Sequence, residues 1–169
     1  YFSKYNHCWG WATWKRSWEN YHGDIPFWSD WKNSDSWIKQ MSDKTERKYW
    51  EVIFDRVAQG QIDSWAYPWI ASTWYKGGLT VTPNMNLVSN IGFGQESTHT
   101  SDKKSIFSNM SVQSTGEIIH PKQIALNEEA DNWTFNFHFG GKYLRFPQNL
   151  LNFPTRIMSY VKRKFAQYL

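Results

Sequence analysis

Cysteine is nearly absent: Cys8 stands alone in 169 residues. One thiol excludes an intrachain disulfide framework and a cysteine-only zinc site, and it fits a reducing compartment. No apolar run approaches the ~20 residues that a membrane-spanning helix needs, and no signal-peptide pattern is present. A cytoplasmic location is the expectation. Internal repeats and low-complexity stretches are also missing. Charge is modest, at 20% of residues and a net +4. A nucleic-acid-binding domain needs a clustered basic face, and the one cluster here is Lys162-Arg163-Lys164 near the end of the chain. Nucleic acid is therefore not an expected partner.

Aromatic residues are abundant: 12 Trp, 9 Tyr and 11 Phe make up 19% of the chain. A segment this rich in Trp is not a solvated tail, and the length allows a domain with a real core. Trp combines a large apolar area with one N–H donor, which suits cores opening onto polar, ring-shaped ligands. Sugars are such ligands, since their C–H faces stack on indole. The competing reading of each Trp is that it simply fills an irregular core.

The first half reads helical. Trp11, Trp14, Trp18 and Tyr21 recur at helical spacing up to Gly23. Residues 24–32, with Pro26, read as a loop. Asn33 or Ser34 caps a short helix running to about Met41. Ser42 or Asp43 caps a longer one, in which Tyr49, Trp50, Ile53, Phe54 and Val57 share a face until Gly60. A third helix spans 67–75, with Pro68 tolerated in its first turn. Residues 79–82 alternate as a strand, 86–91 suggest another, and 117–121 read as a short extended piece. Residues 92–116, rich in Gly, Ser, Thr, Asn and Lys, read as a long loop. Residues 127–137 read as a helix capped by Asn127, irregular chain follows Gly140-Gly141, and Pro154 opens a final amphipathic helix. The fold class expected is α+β, with a mainly helical first half and a few short strands.

Three stretches carry a resemblance. Tyr1-Phe2-Ser3-Lys4-Tyr5 runs into Trp9-Gly10-Trp11-Ala12-Thr13-Trp14. Asp63-Ser64-Trp65-Ala66-Tyr67-Pro68-Trp69 follows. The third is the run from Pro83 through Asn84, Met85, Asn86, Leu87, Val88, Ser89, Asn90, Ile91, Gly92 and Phe93 to Gly94, with Thr98-His99-Thr100 after it. In this order they resemble the C-terminal half of bacterial nucleotide-diphospho-sugar transferases of the hemolytic-protein-like kind. These are distantly similar to the N-acetylglucosaminyltransferases that begin N-glycan branches. The resemblance covers about residues 1–140.

It implies the acceptor side and part of the donor-sugar pocket of a GT-A glycosyltransferase, with residues 141–169 as a C-terminal extension. The partners implied are a nucleotide-sugar donor and a glycan or lipid-linked acceptor. In that family a Rossmann-like N-terminal half holds the nucleotide, and an Asp-x-Asp motif there binds a divalent metal, Mn or Mg. This chain contains neither an Asp-x-Asp motif nor a Gly-rich phosphate loop. The expectation is that the Rossmann-like half precedes Tyr1 and that these residues bind nucleotide poorly by themselves.

Inverting transfer needs a carboxylate to take the acceptor hydroxyl's proton. Relatives carry Trp-Asp-Tyr-Gln-Trp where this chain has Trp65-Ala66-Tyr67-Pro68-Trp69, so the expected base position holds Ala66. Asp63, three residues earlier, either replaces that base or caps the helix. If neither acid serves, the chain is an inactive relative. His99 is the candidate metal ligand by similarity to GT-A enzymes that place a C-terminal His on the metal. Trp9, Trp11 and Trp65 are candidate stacking residues beside Gly10. Asn86, Asn90, Gly92 and Gly94 are candidates for sugar hydroxyl contacts and close backbone approach, with turn chemistry as the alternative. On the last helix, 154–169, Ile157, Val161 and Phe165 run beside Lys162, Arg163 and Lys164. That face fits an anionic membrane surface or the nucleotide-binding half.

Overall fold

In the computed structural model, which describes residues 1–91 and 108–148, the chain alternates short helices with a minimal sheet. Two units emerge. The first takes Tyr1–Ile25 and the described part of Asp63–Glu128; the second takes Pro26–Ile62 and the described residues from Glu129 onward.

The first unit is built on strand β1 (Phe2–Ser3), paired antiparallel with β2 (Thr80–Val81) so that Phe2 faces Val81 and Ser3 faces Thr80. Leu126 bridges Phe2 in parallel on the other side, and Asn127 N–H donates to Phe2 O at 2.8 Å. Helix α1 is a single turn, Lys15–Trp18. Helix α5 (Ala66–Tyr75) buries Trp69, Ile70, Ala71, Ser72 and Trp74. The Trp74 indole N–H donates to Lys4 O, and its ring meets Tyr5 edge-on at 5.8 Å. These contacts fix the strand leaving β1 against α5. A buried indole N–H must find an acceptor, and a backbone carbonyl supplies it here.

The second unit packs indole against indole. Helices α2 (Trp28–Trp31), α3 (Asp35–Gln40) and α4 (Lys44–Ala58) contribute Trp28, Trp31, Trp37, Trp50 and Phe54, all buried. Trp28 meets Trp37 at 5.1 Å and 89°, and Phe54 at 5.1 Å and 80°. Edge-to-face contact suits the quadrupoles of these rings. Their polar ends reach one flank of α4: Trp28 Nε1 donates to Asp55 at 2.9 Å and Trp37 Nε1 to Glu51 at 3.3 Å. Helix α6 (Glu128–Trp133) continues into a π-helical stretch, Thr134–His138, and then a 3-10 turn, Gly141–Leu144. Phe135 and Phe139 from this region reach Tyr49 of α4.

Local rules explain the caps. Ser34 Oγ accepts from Trp37 N–H at 3.2 Å, and Asp43 Oδ1 accepts from Glu46 N–H at 2.8 Å. Both long helices end in the same six-to-one, five-to-two pattern. After α4, Gly60 N–H bonds Val57 O and Gln61 N–H bonds Arg56 O, with Gly60 at φ 66°. After α5, Gly77 N–H bonds Trp74 O and Gly78 N–H bonds Thr73 O, with Gly77 at φ 68°.

The described residues form a mixed, mostly helical fold with a two-stranded sheet, consistent with the α+β expectation but showing no Rossmann-like sheet. The helices capped by Ser34 and Asp43, the helix after Trp65 and the strand before Pro83 are present. Several expectations need correction. The Trp11–Tyr21 stripe is not one helical face: Trp14 is extended (φ −83°, ψ 148°) and α1 covers four residues. Residues 24–32 are not all loop, because Trp28 and Trp31 bury themselves through α2. In 86–91 only Asn90 bridges, to Ser108, and 117–121 form no strand. The helix expected over 127–137 stays α-helical only to Trp133, and the chain after Gly140 winds into the 3-10 turn. Among the described residues no helix is long and apolar enough to cross a membrane. The amphipathic stretch 154–169 lies outside the described residues.

Candidate functional site

A cleft of about 360 Å³ opens within the first unit. One wall is the irregular chain from Asn6 to Asn20. The other is α5 with the segment Gly78–Val81 behind it. Along α5 and its C-cap the lining positions are Ala66, Trp69, Ser72, Thr73 and Lys76. Their spacing of three and four residues places them on one helical face.

The floor and rim are aromatic. Trp69 is buried, and Trp11 (5.8 Å), Trp18 (5.2 Å) and Tyr21 (6.5 Å) gather round it. Trp11 stacks on Trp65 with ring centroids 5.0 Å apart and planes 25° from parallel. Trp18 stacks on Tyr21 at 4.6 Å and 4°. Trp11 and Trp65 remain 37% and 43% exposed, so indole surface is left for a ligand. Trp14, on the same rim, carries the Arg16 guanidinium 5.0 Å above its ring.

Asn6 holds the two walls together. With its amide oriented to satisfy both ends, its oxygen accepts from Trp69 Nε1 at 2.9 Å and Thr73 Oγ1 at 3.3 Å, and its nitrogen donates to Lys4 O at 3.2 Å. Ser72 Oγ accepts from His22 N–H at 3.2 Å, and Asn20 Nδ2 donates to Arg16 O at 2.9 Å. The ionisable lining groups are His7, Cys8 and Lys76; none of the described lining residues is Asp or Glu. Burial pushes the Cys8 thiol above its ordinary value, and a hydrogen bond from its own backbone offsets only part of that. A thiol held protonated is a poor nucleophile.

Of the residues singled out from the sequence, Trp11 and Trp65 come together on this cleft, and Ala66 lines it beside them. Trp9 is partly exposed but outside the lining. Gly10 sits at φ 61°, where an added Cβ would fall 2.3 Å from Val88 Cγ2, so it has a packing role of its own. Asn86 is used structurally: its Nδ2 donates to Ser111 O and its backbone O accepts from Gln113 N–H, both at 2.9 Å. Asn90 O accepts from Asn109 N–H at 3.2 Å. Neither asparagine lines the cleft. Asp63 is exposed and outside the lining. The capping alternative for Asp63 fails, because Trp65 is the N-cap of α5 and Ser64 Oγ takes the Ala66 N–H at 3.3 Å. Gly92, Gly94 and His99 lie outside the described residues.

Sequence reasoning missed Trp69, Ser72, Thr73 and Lys76 as lining residues. The three-and-four spacing of 66, 69, 73 and 76 was a usable signal; the approach of Trp18 to Trp69 from another segment had none. Among the described residues no three His, Cys, Asp or Glu side chains come close enough to hold a metal ion. Comparison of the chain with protein-family models, curated proteins and solved structures finds no match.

Proposed function

We propose that the cleft of the first unit binds a saccharide, and that the chain is the acceptor-side part of a glycosyltransferase using a nucleotide-sugar donor. The observation that carries the saccharide reading is the half-exposed Trp11–Trp65 stack on a rim shared with Thr13, Ser17 and Asn20. Indole surface takes the C–H face of a sugar ring, and hydroxyl and amide groups fix its orientation. The transferase reading rests on the Trp-Gly-Trp, Asp-x-Trp and Asn-Ile-Gly-Phe-Gly segments described above.

In such a transfer the acceptor oxygen bonds to the anomeric carbon as the bond to the diphosphate breaks. A carboxylate takes the acceptor's proton. Asp63 is the carboxylate nearest in sequence to the position where relatives carry theirs. In the family the chain resembles, the metal and nucleotide are held by the N-terminal half.

A second reading has its own support. Ala66, on the cleft wall, stands where the family it resembles carries the acid, and no described lining residue is Asp or Glu. This favours a saccharide-binding protein or an inactive transferase relative. A glycan array separates these readings from failure: a chain that binds no saccharide sinks the cleft assignment. Release of nucleoside diphosphate from nucleotide sugars by the protein, and by its Ala66→Asp variant, separates them from each other. Turnover that depends on Asp63, or a gain on restoring the acid, supports a transferase lineage. Binding without turnover in either form favours the second reading.

A further inference from the structure

The charge on the cleft wall is one-sided. Lys76 closes α5 at its C-cap and lines the cleft, with His7 on the opposite wall. No described lining residue carries a negative charge. Several other polar groups on the wall are committed. Asn6 serves Trp69, Thr73 and Lys4, Asn20 serves Arg16, and Ser72 serves His22. Lys76 is different: among the described residues it makes no ion pair, and its nearest described ring is Tyr75, 5.6 Å from Nζ. The Lys15–Glu19 pair of the first unit is solvent-exposed and outside the lining.

A site for a neutral sugar commonly uses carboxylates, which accept from two adjacent hydroxyls at once. This wall offers no such acceptor and one uncommitted ammonium with three donors. A saccharide bearing a carboxylate, sulfate or phosphate would bring the charge that the cleft leaves unanswered. Its ring would rest on the Trp11–Trp65 edge.

We propose that the cleft selects acidic saccharides, with Lys76 as the residue that reads the anionic substituent. The inference rests on the saccharide reading of the cleft given above and adds the chemical class of ligand.

The test uses the 169-residue chain on matched pairs of oligosaccharides: a hexose-terminated glycan against its uronic-acid counterpart, and unsulfated against sulfated forms. The acidic member of at least one pair is expected to bind about fivefold more tightly at low salt, the scale of one partly exposed charge pair. The preference should shrink as salt is raised. Lys76→Gln should remove the preference, whereas Trp65→Ala should weaken both members alike. Lys76→Arg should retain the preference. Equal binding of acidic and neutral members, or a preference unchanged in Lys76→Gln, overturns the inference while the saccharide reading stands. Binding of no glycan overturns both.

Discussion

Trp11 and Trp65 stand 54 positions apart in the chain and meet face to face, 5.0 Å between centroids and 25° from parallel. Two indoles held this way couple optically, giving a paired signal in the near-ultraviolet circular dichroism. Replacing either with Ala should abolish that signal even without ligand. If the pair is the sugar platform, each replacement should also weaken saccharide binding by about tenfold or more, as truncation of a central aromatic anchor does. Loss of the optical signal with undiminished binding would remove the pair from the site.

Gly10 owes its identity to two separate constraints. Its backbone is left-handed at φ 61°, and an added Cβ would overlap Val88 Cγ2 at 2.3 Å. Gly10→Ala should therefore destabilise the protein by about 1–2 kcal/mol for the backbone and a further ~1–3 kcal/mol for overpacking. Val88→Ala in the same chain should recover the second part and not the first. Urea denaturation of the two single variants and the double variant measures this. A neutral Gly10→Ala would contradict the geometry. Additive effects in the double variant would contradict the contact.

Both long helices stop on a left-handed glycine, Gly60 and Gly77, with nothing within 4 Å of a would-be Cβ at either site. Gly→Ala there introduces backbone strain without a clash. Each should cost about 1 kcal/mol, and Gly→Asn should cost less because Asn tolerates this region. Gly78 provides the contrast. An added Cβ would lie 2.9 Å from Thr73 Cγ2 and 3.2 Å from Thr73 O. Its replacement should cost more than that of Gly77, and thermal unfolding of the set should show that order.

The helices that sequence reading located share a trait: a capping side chain at one end or a glycine at the other, with a core stripe between. The α4 face of Trp50, Phe54 and Val57 and its Asp43 cap are written in the consecutive residues 43–57. What escaped was decided by distant residues. Helix α2 has no strong local signal; it forms because Trp28 and Trp31 have Trp37 and Phe54 to pack against. Trp11, Trp18 and Tyr21 looked like a helix face because their spacing fits one. They converge instead on Trp69, over 40 positions away, from a chain that is extended at Trp14. The cleft was half legible for the same reason. Its α5 wall follows one helical period, while the opposite wall is irregular chain held by Asn6 and Lys4 O.

Two carboxylates in the second unit set its response to acid. Burial pushes the Asp43 carboxyl upward, but hydrogen bonds from Arg145 and the Glu46 amide, with the Arg145 charge, outweigh it and leave it below its ordinary 3.8. Asp55 is likewise pushed up by burial and brought below 3.8 by hydrogen bonds from Lys32 and the Trp28 indole and by the Lys32 charge. A carboxylate whose folded value is depressed contributes stability that is fully present above its unfolded value. That stability is lost as pH falls through the folded value. The urea midpoint should thus be unaffected by these two groups from neutrality down to about pH 5 and should fall below about pH 4. Arg145 and Asp43 are both about one-third exposed, as are Lys32 and Asp55, so each pair contributes no more than about 1 kcal/mol. Arg145→Met should flatten the acid limb and return the Asp43 titration, followed by NMR, toward its ordinary value. Asp43→Asn should flatten the same limb and keep part of the helix cap, since Asn also caps well. If Asp43 titrates at or above 3.8 with Arg145 intact, the ion pair does not hold in solution.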